Sequence, residues 1–321
     1  MLCIGRVGVD HYPEQINVPL ADVSRFSSAI GGTATNVAVA AARLGHRTAI
    51  VTKVGDDPFG LYVRQALGKF GVDSRGVSTH PDLPTPVVFA ELNPASDPTI
   101  LFYRQPSAPD EHLTIADIDL DLVRRVPVLW IPGSRMAFEQ SAEMVIQVLE
   151  HRERLEHTVL DLDYRPMFWD SEKDAARGIG SLLSRVTVAV GNLEECRISV
   201  GTADPHEAAQ RLLDLGVKIA IVKMGGDGVL AVDSHGNSAV VESSPVEVVC
   251  GLGSGDAFGG ALVHGLLKGW ASQPGGLERL MSYANAAGAI VASRLLCSDA
   301  MPTVDEVETM LETGIPPDAS R

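Results

Sequence analysis

The sequence has few cysteines, and they are scattered along the chain. The four in 321 residues are Cys3, Cys196, Cys250 and Cys297, and no two of them form a CxxC pair. Structural zinc sites and the disulfide scaffolds of small secreted proteins need grouped cysteines, so the sequence predicts neither. A reducing compartment fits this pattern best, and we expect a cytoplasmic protein.

Basic residues and long apolar runs are also scarce. The chain has 26 Lys and Arg against 41 Asp and Glu, a formal charge of −15. An acidic surface repels nucleic acid and anionic membranes, so we expect neither as a partner. No apolar run approaches the roughly 18 residues that a membrane span needs. The opening MLCIGRVGVD is typical of a buried strand rather than of a secretion signal, and a soluble protein is expected.

Short β-branched segments alternate with segments of helical periodicity along most of the chain. Strands are predicted at 2–9, 48–54, 126–131, 158–162, 186–190 and 217–223, and helices at 35–44, 59–70, 137–151, 173–184, 205–215, 256–269 and 277–295. Several strands lack polar alternation, as expected of parallel strands covered by helices on both faces. The pattern predicts a doubly wound α/β fold with a mostly parallel sheet.

Two stretches, residues 11–30 and 82–106, interrupt this alternation. They lack helical periodicity and include strand-like segments such as 86–92 and 99–103. Consecutive strands without an intervening helix indicate a small β-appendage rather than a second independent domain. We therefore predict a single domain over residues 1–321 with a small β-lid.

The segment GLGSGDAFGG at residues 251–260 is the most informative one. Its alternating glycines precede a predicted helix, so successive backbone N–H groups can converge on an anion at the helix N-terminus. Asp256 follows, where a carboxylate can deprotonate a hydroxyl that attacks phosphorus. The alternative is an Asp that only caps the helix. The chain has no GxxxxGK[ST] loop, and this segment lies too late in the chain for a dinucleotide fingerprint.

Two candidates lie near the start of the chain. Asp10 follows the predicted first strand, where ligands collect in open parallel sheets. In IGGTATN, Gly31 and Gly32 permit close backbone approach to a ligand, and Asn36 can hydrogen-bond vicinal hydroxyls. A strand end and an ordinary loop before a helix are the alternative interpretations.

Three further polar segments follow predicted strands: GNLEE at 191–195, VKMGGDG at 222–228 and LDLDYRPMFW at 160–169. Asn192 with Glu195 can hold hydrated Mg²⁺ and phosphate oxygens. Lys223 with Gly225 and Gly228 can flank a nucleotide. Ordinary turns, and a buried structural ion pair in the third segment, are the alternatives.

In this order and spacing, the segments resemble the ribokinase-like (PfkB) family of carbohydrate kinases over nearly the whole chain. GGTATNVAVAAARLG near the start and GLGSGDAFGGALVHGLLKGW near the end carry the resemblance. It implies a three-layer α/β sandwich with a β-lid over the sugar, ATP and Mg²⁺ as cofactors, and phosphorylation of a sugar hydroxyl. Lid strands of this family often pair across a dimer, which favours a homodimer formed through the lid.

The resemblance also implies a role for each candidate residue. Asp256 is the base, and Gly253, Ser254 and Gly255 form the anion hole for the transferred phosphoryl group. The other implied roles are sugar binding by Asp10, Gly31, Gly32, Asn36, Arg104 and Arg165, nucleotide binding by Asn192, Lys223, Gly225, Gly228 and Asn285, and water-mediated Mg²⁺ binding by Glu195.

Four segments are similar to those of family members that phosphorylate a keto sugar acid, 5-dehydro-2-deoxy-D-gluconate, in inositol breakdown. They are IGRVGVD at 4–10, LFYR at 101–104, DLDYRPMFW at 161–169 and ANAAGAIVASRLLCSDAMP at 284–302. Kinases of 2-dehydro-3-deoxygluconate have similar segments, and fructokinase and ribokinase activities stay open. A non-catalytic sugar-binding regulator is an alternative of another class, which the intact turn from Gly253 to Asp256 disfavours.

One position departs from the family. Many relatives have an Asp three residues before Gly253 that helps to hold a monovalent cation, whereas this chain has Cys250. We therefore expect the activity to respond only weakly to potassium.

Overall fold

The computed structural model describes residues 1–95 and 98–317. Internal contacts divide the chain into two compact units. The first unit comprises Met1–Ile4, Leu113–Ser243 and Gly265–Ser282, and the second comprises Gly5–His112, Ser244–His264 and Tyr283–Arg321. The single domain over residues 1–321 stays a prediction.

The described residues form strands in every segment predicted as a strand, and they form further strands at 26–31, 72–80, 229–233 and 238–241 that were not predicted individually. The strands are β1 (Leu2–Ile4), β2 (Gly8–Pro13), β3 (Phe26–Gly31), β4 (Thr48–Gly55), β5 (Val72–His80), β6 (Val87–Glu91), β7 (Thr99–Tyr103), β8 (Leu129–Pro132), β9 (Thr158–Asp161), β10 (Val188–Asn192), β11 (Ile219–Lys223), β12 (Val229–Asp233) and β13 (Ser238–Val241).

The α-helices alternate with most of these strands. They are α1 (Thr33–Arg43), α2 (Pro58–Lys69), α3 (Leu120–Arg125), α4 (Glu139–Arg152), α5 (Glu172–Gly180), α6 (Leu193–Val200), α7 (Pro205–Asp214), α8 (Ser254–Leu267), α9 (Gly276–Ala292) and α10 (Val304–Thr313). Across the described ranges, no helix is long and apolar enough to cross a membrane.

The first unit is built on a mostly parallel sheet in the order β13-β12-β11-β10-β9-β8-β1. Strands β1 and β8 to β11 are parallel, and β12 and β13 are antiparallel at one end. Every residue of β8 and β9 is buried, which explains why these strands show no polar alternation. The predicted mostly parallel α/β architecture is confirmed. The carboxyl ends of β9, β10 and β11 lie along one edge, where ligands bind in such sheets.

The second unit contains the parallel pair β4 and β5 and a four-stranded sheet in the order β3-β2-β6-β7. In that sheet β2 pairs parallel with β6, and the other pairs are antiparallel. The stretches 11–30 and 82–106 supply most of its residues, although Ser96 and Asp97 lie outside the described residues. That this sheet acts as a lid over a sugar stays a prediction.

The predicted first strand at 2–9 is in fact two strands, β1 and β2, and this corrects the expected position of Asp10. Asp10 lies in the middle of β2, opposite Ala29 of β3, and not at the end of the first strand. Gly5, Arg6 and Val7 between the strands are buried like their neighbours, so the break does not form an exposed polar loop.

Three helices, α3, α6 and α10, were not predicted from periodicity. Two of them carried a local signal, because α6 and α10 each begin with a capping box, Asn192 with Glu195 and Thr303 with Glu306. These helices have eight and ten residues. Helix α3, with six residues, and α6 contain too few turns for a clear apolar stripe.

Candidate active site

The glycine turn of residues 251–255 leads directly into α8 in the second unit. Gly253 has φ +82°, and a Cβ on it would lie 2.7 Å from Cys297 Sγ, so only glycine fits there. The Ala257 N–H donates to the Gly253 carbonyl at 2.9 Å, which makes Gly253 the cap of the helix. The N–H groups of Ser254 and Gly255 therefore belong to the helix N-terminus, where an anion is stabilised.

Asp256 is the third residue of α8 and not its cap. The sequence alternative of an N-cap Asp therefore does not describe this residue. Its Oδ2 accepts a hydrogen bond of 2.7 Å from Asn36 Nδ2, and Asn36, at 3% exposure, lies in the first turns of α1. The predicted base and a predicted sugar-binding residue, 220 positions apart in sequence, are thus in direct contact.

Asp10 belongs to the same cluster. A Cβ on Gly31 would lie 1.9 Å from Asp10 Oδ2, so the carboxylate occupies the space that this glycine leaves. Burial, with a smaller contribution from the charge of Asp256, raises the pKa of Asp10 to about 7, although the Tyr12 hydroxyl and Arg6 both act to lower it. Asp10 consequently titrates near neutral pH.

Sequence reasoning missed two neighbours of Asp10. The Tyr12 hydroxyl donates to Asp10 Oδ2 at 3.1 Å and lies 2.7 Å from Cys297 Sγ. Burial is the largest of the effects that raise the pKa values of Tyr12 and Cys297, so both side chains keep their protons at neutral pH. Residues 10 and 12 share one face of a strand, a signal that was present in the sequence. Cys297 gave none, because it is 285 positions from Tyr12.

Gly32 and Arg6 connect the start of α1 to the residues that follow β1. Gly32 has φ +102°, and a Cβ on it would lie 2.5 Å from the Arg6 carbonyl oxygen. Arg6 is 4% exposed, and its Nη2 donates to Thr33 Oγ1 at 3.1 Å. The paired glycines therefore allow close packing within the protein, whether or not they also approach a ligand.

Arg104 follows β7 and lies in a buried ion-pair network. Its guanidinium contacts Asp110, and its Nη2 lies 3.2 Å from Glu111 Oε1. Asp110 is fully buried, and its Oδ2 also accepts from the Val7 N–H at 3.2 Å. These contacts connect the end of β7 to the 3-10 helix Pro109–His112. The structure thus gives the predicted sugar-binding Arg104 two internal carboxylate partners.

Arg165 in the first unit follows β9 and pairs with a buried carboxylate. Its Nε donates to Asp163 Oδ1 at 2.9 Å, and Asp163 also accepts from Ser134. The ion pair expected as an alternative is therefore present, and of its two side chains only Asp163 is buried. Because 37% of the Arg165 side chain is exposed, the pair orients the guanidinium without burying it.

Asn192 and Glu195 form the capping box of α6. Asn192 Oδ1 accepts from the Glu195 N–H at 2.8 Å, and Glu195 Oε2 accepts from the Asn192 N–H at 2.7 Å. One oxygen of each side chain thus serves the helix. In the described part of the chain, no group of three His, Cys, Asp or Glu side chains is placed to hold a metal. A donor set of this kind suits Mg²⁺ held largely through water and phosphate.

The remaining predicted nucleotide-binding residues lie at the end of β11 and on α9. Lys223 is the last residue of β11 and pairs in register with Asn192 of β10. Gly225 and Gly228 lie in the turn to β12, and a Cβ on Gly228 would lie 2.0 Å from the Val241 carbonyl oxygen. This turn joins an antiparallel hairpin, as the alternative interpretation expected. Asn285 lies within α9 in the second unit and is half-buried.

Two curated relatives match nearly the whole length of this chain. A 5-dehydro-2-deoxygluconokinase from Geobacillus thermodenitrificans is 33% identical over 319 residues, which cover 97% of this chain and 92% of the relative. A 5-dehydro-2-deoxygluconokinase from Photobacterium profundum is also 33% identical over 319 residues, with 97% of this chain and 94% of the relative covered.

Solved structures share the fold. An uncharacterized sugar kinase from Pyrococcus horikoshii has a TM-score of 0.78 at 25% identity and covers 97% of this chain and 96% of its own. A fructokinase with bound ATP from Xylella fastidiosa has a TM-score of 0.83 at 23% identity, with coverage of 97% and 98%. These similarities confirm the predicted ribokinase-like three-layer fold.

The family follows from a match over most of the chain. Residues 1–304 match the pfkB family of carbohydrate kinases. This stretch contains every candidate residue described above. The chain therefore belongs to the pfkB family of carbohydrate kinases, and it is a sugar phosphotransferase.

Proposed function

We propose that this kinase transfers a phosphoryl group from ATP, with Mg²⁺, to the terminal hydroxyl of a keto sugar acid, and that 5-dehydro-2-deoxy-D-gluconate is its preferred substrate. The observation that carries the proposal is the contact of Asp256 with Asn36 at the N-terminus of α8, beside Asp10. The names of the relatives that are about one third identical support the substrate.

Asp256 accepts the proton of the attacking hydroxyl in this proposal. The backbone N–H groups of Gly253, Ser254 and Gly255 stabilise the charge on the transferred phosphoryl group, because a helix N-terminus favours an anion. Asp10 accepts hydrogen bonds from sugar hydroxyls. Most of the catalytic effect is positioning and charge stabilisation, as is general for phosphoryl transfer.

The cofactor roles fall mainly to residues of the first unit. Asn192, Glu195 and Lys223 hold the nucleotide phosphates and hydrated Mg²⁺, while Gly225 and Gly228 flank the nucleotide. Bound Mg²⁺ supplies neutralisation of the phosphate charge. The protein's own charge of −15 makes such neutralisation more important, since ATP and a sugar acid are both anionic.

Arg165 is the proposed partner of the sugar-acid carboxylate. A carboxylate is best bound by a planar, bidentate donor, and Arg165 has a partly exposed guanidinium that its bond to Asp163 orients. Arg104 has a structural role in this proposal because its guanidinium already pairs with Asp110 and Glu111. We also predict that the enzyme is cytoplasmic and acts in inositol breakdown. We predict in addition that it dimerises through the four-stranded sheet.

A coupled ADP-release assay tests the proposal directly. Wild-type protein is supplied with MgATP and a panel of 5-dehydro-2-deoxygluconate, 2-dehydro-3-deoxygluconate, fructose and ribose. We expect the highest kcat/KM with 5-dehydro-2-deoxygluconate. Faster turnover of either neutral sugar removes the sugar-acid proposal, and no turnover with any of them favours the regulator.

We predict that Asp256→Asn lowers kcat by about 10²–10⁴ while the affinity for the sugar changes little, because the variant keeps the size but loses the proton acceptor. Steady-state kinetics and sugar titration by calorimetry measure the two effects. A turnover close to that of the wild type would contradict the assignment of Asp256 as base.

We predict that Arg165→Lys raises the KM for the sugar acid about tenfold or more, since Lys keeps the charge but loses the bidentate geometry. Arg104→Lys is the matched control, which we expect to lower the melting temperature while the ratio of acid to neutral-sugar KM values stays that of the wild type. The assignment fails if Arg165→Lys raises the KM for ATP instead, or if Arg104→Lys alone changes that ratio.

The pKa of Asp10, about 7, predicts pH-dependent sugar binding. The ionised carboxylate accepts hydroxyl hydrogen bonds, and protonation removes this acceptor as the pH falls through the pKa. The KM for the sugar should therefore rise about tenfold from about pH 8 to about pH 6. In Asp10→Asn, which has no titratable group there, KM should be high and independent of pH. A wild-type KM that is flat over this range would speak against the role.

Cys250 predicts a weak response to potassium. It is fully buried in an apolar cluster with Tyr12, Ala29 and Cys297 and provides no carboxylate for a cation. Replacing sodium by potassium at constant ionic strength should change kcat/KM less than about threefold. A stronger dependence would mean that other oxygen ligands hold the ion and that the Asp missing at this position is not needed.

A further inference from the structure

Helix α1 and His46, which follows it, contact α8 at three successive levels in the second unit. Asn36 Nδ2 bonds Asp256 Oδ2 at 2.7 Å, a Cβ on Gly260 would lie 2.3 Å from Ala40 Cβ, and His46 Nε2 lies 3.0 Å from His264 Nδ1. The positions 256, 260 and 264 are four residues apart and share one face of α8. This face spans about 12 Å along α8. The partners Asn36, Ala40 and His46 follow in the same chain order, so the two segments run side by side in the same direction.

The middle level sets the distance between the helices. The Cβ that Gly260 lacks would also lie 3.0 Å from Ala40 C and from Ala41 N, which means that the backbone of α1 fills this space. Any larger residue at 260 must move α8 away from α1. The catalytic end of α8 is four residues away, so such a shift reaches Asp256 through a rigid helix.

The lower level is fixed to α1 by backbone hydrogen bonds. His46 follows the helix, and its N–H donates to the Ala41 carbonyl at 3.1 Å, while the Gly45 N–H donates to the Ala42 carbonyl at 2.9 Å. This C-terminal cap gives His46 a defined position at the end of α1. The contact with His264 therefore joins two ordered helix ends.

The upper level joins the helix pair to the chemistry. A carboxylate only accepts hydrogen bonds, so the amide nitrogen of Asn36 must face Asp256. Within the part of the chain that the structure describes, Asn36 Oδ1 is buried and has no hydrogen-bond partner. A buried carbonyl oxygen without a hydrogen-bond partner costs stability, so a hydrogen bond from a substrate hydroxyl to this oxygen is favourable.

We propose that Asn36 is a positioning residue for the base Asp256, and that the contact of Gly260 with Ala40 sets the position at which Asn36 holds it. The inference rests on the proposed role of Asp256. One side chain thereby contacts the base through its nitrogen and offers its oxygen to the sugar. Because a displacement near 1 Å costs up to about 10²-fold in rate, the spacing of the helices controls turnover.

Gly260→Ala tests the spacing, since Gly260 touches neither substrate in the proposal. We expect kcat to fall about tenfold or more, with the KM for ATP changed less than about threefold. The matched control is Gly68→Ala in α2, where an added Cβ has no atom within 4 Å, and its kcat should equal that of the wild type. A folded Gly260→Ala with wild-type kcat overturns the proposal.

Ala40→Gly in the Gly260→Ala background separates positioning from a loss of stability. The second change removes the methyl group that collides with the new one, so kcat should partly recover. A glycine within α1 lowers helix stability, so the melting temperature should not recover with it. If kcat instead follows the melting temperature across the wild type, the single variant and the double variant, Gly260 acts only on stability and the proposal is wrong.

Asn36→Asp tests the upper level with a side chain of the same shape. It replaces the donor by a second negative charge beside Asp256, so kcat should fall by a larger factor than the KM for the sugar rises. If Asn36 only bound the sugar, KM would rise and kcat would be retained. All ratios use whichever sugar the wild type turns over fastest, so the substrate proposal can fail without deciding this one.

Discussion

Two carboxylates in one small space, Asp10 and Asp256, impose the main physical constraint on this protein. Burial is the largest cost of ionising Asp10, and the charge of Asp256 adds to it, as the raised pKa of Asp10 indicates. The surrounding groups oppose this effect. Tyr12 donates to Asp10 and Asn36 donates to Asp256, so each carboxylate has a neutral donor of its own. Neutral donors orient a carboxylate without cancelling the charge that it needs as a base or acceptor.

This arrangement depends on glycines that make room inside the protein. Gly31 leaves the space that the Asp10 carboxylate fills, and Gly260 lets the backbone of α1 approach α8. The same glycines belong to the two signatures from which the family was inferred. Their sequence pattern therefore reports the close packing of protein segments as well as the approach of a ligand.

Several residues with a proposed functional role also have a structural partner. Arg165 bonds Asp163, and Asn192 and Glu195 cap α6. These contacts reduce the number of orientations that each polar group can adopt, so a ligand encounters it already oriented. The sequence left open whether these residues bind a ligand or stabilise the fold. The contacts allow the same side chain to do both.

The sequence by itself determined the alternation of strands and helices, the glycine turn before Asp256 and the family, because periodicity and backbone preference are local properties. It did not reveal the break between β1 and β2, since this break is a buried connection of three residues and not an exposed polar loop. Only the tertiary structure decided that Asp256 meets Asn36, that Tyr12 lies against Cys297 and that Arg104 pairs with Asp110. The first two contacts join segments more than 200 positions apart, and side-chain packing, which no local pattern encodes, brings them together.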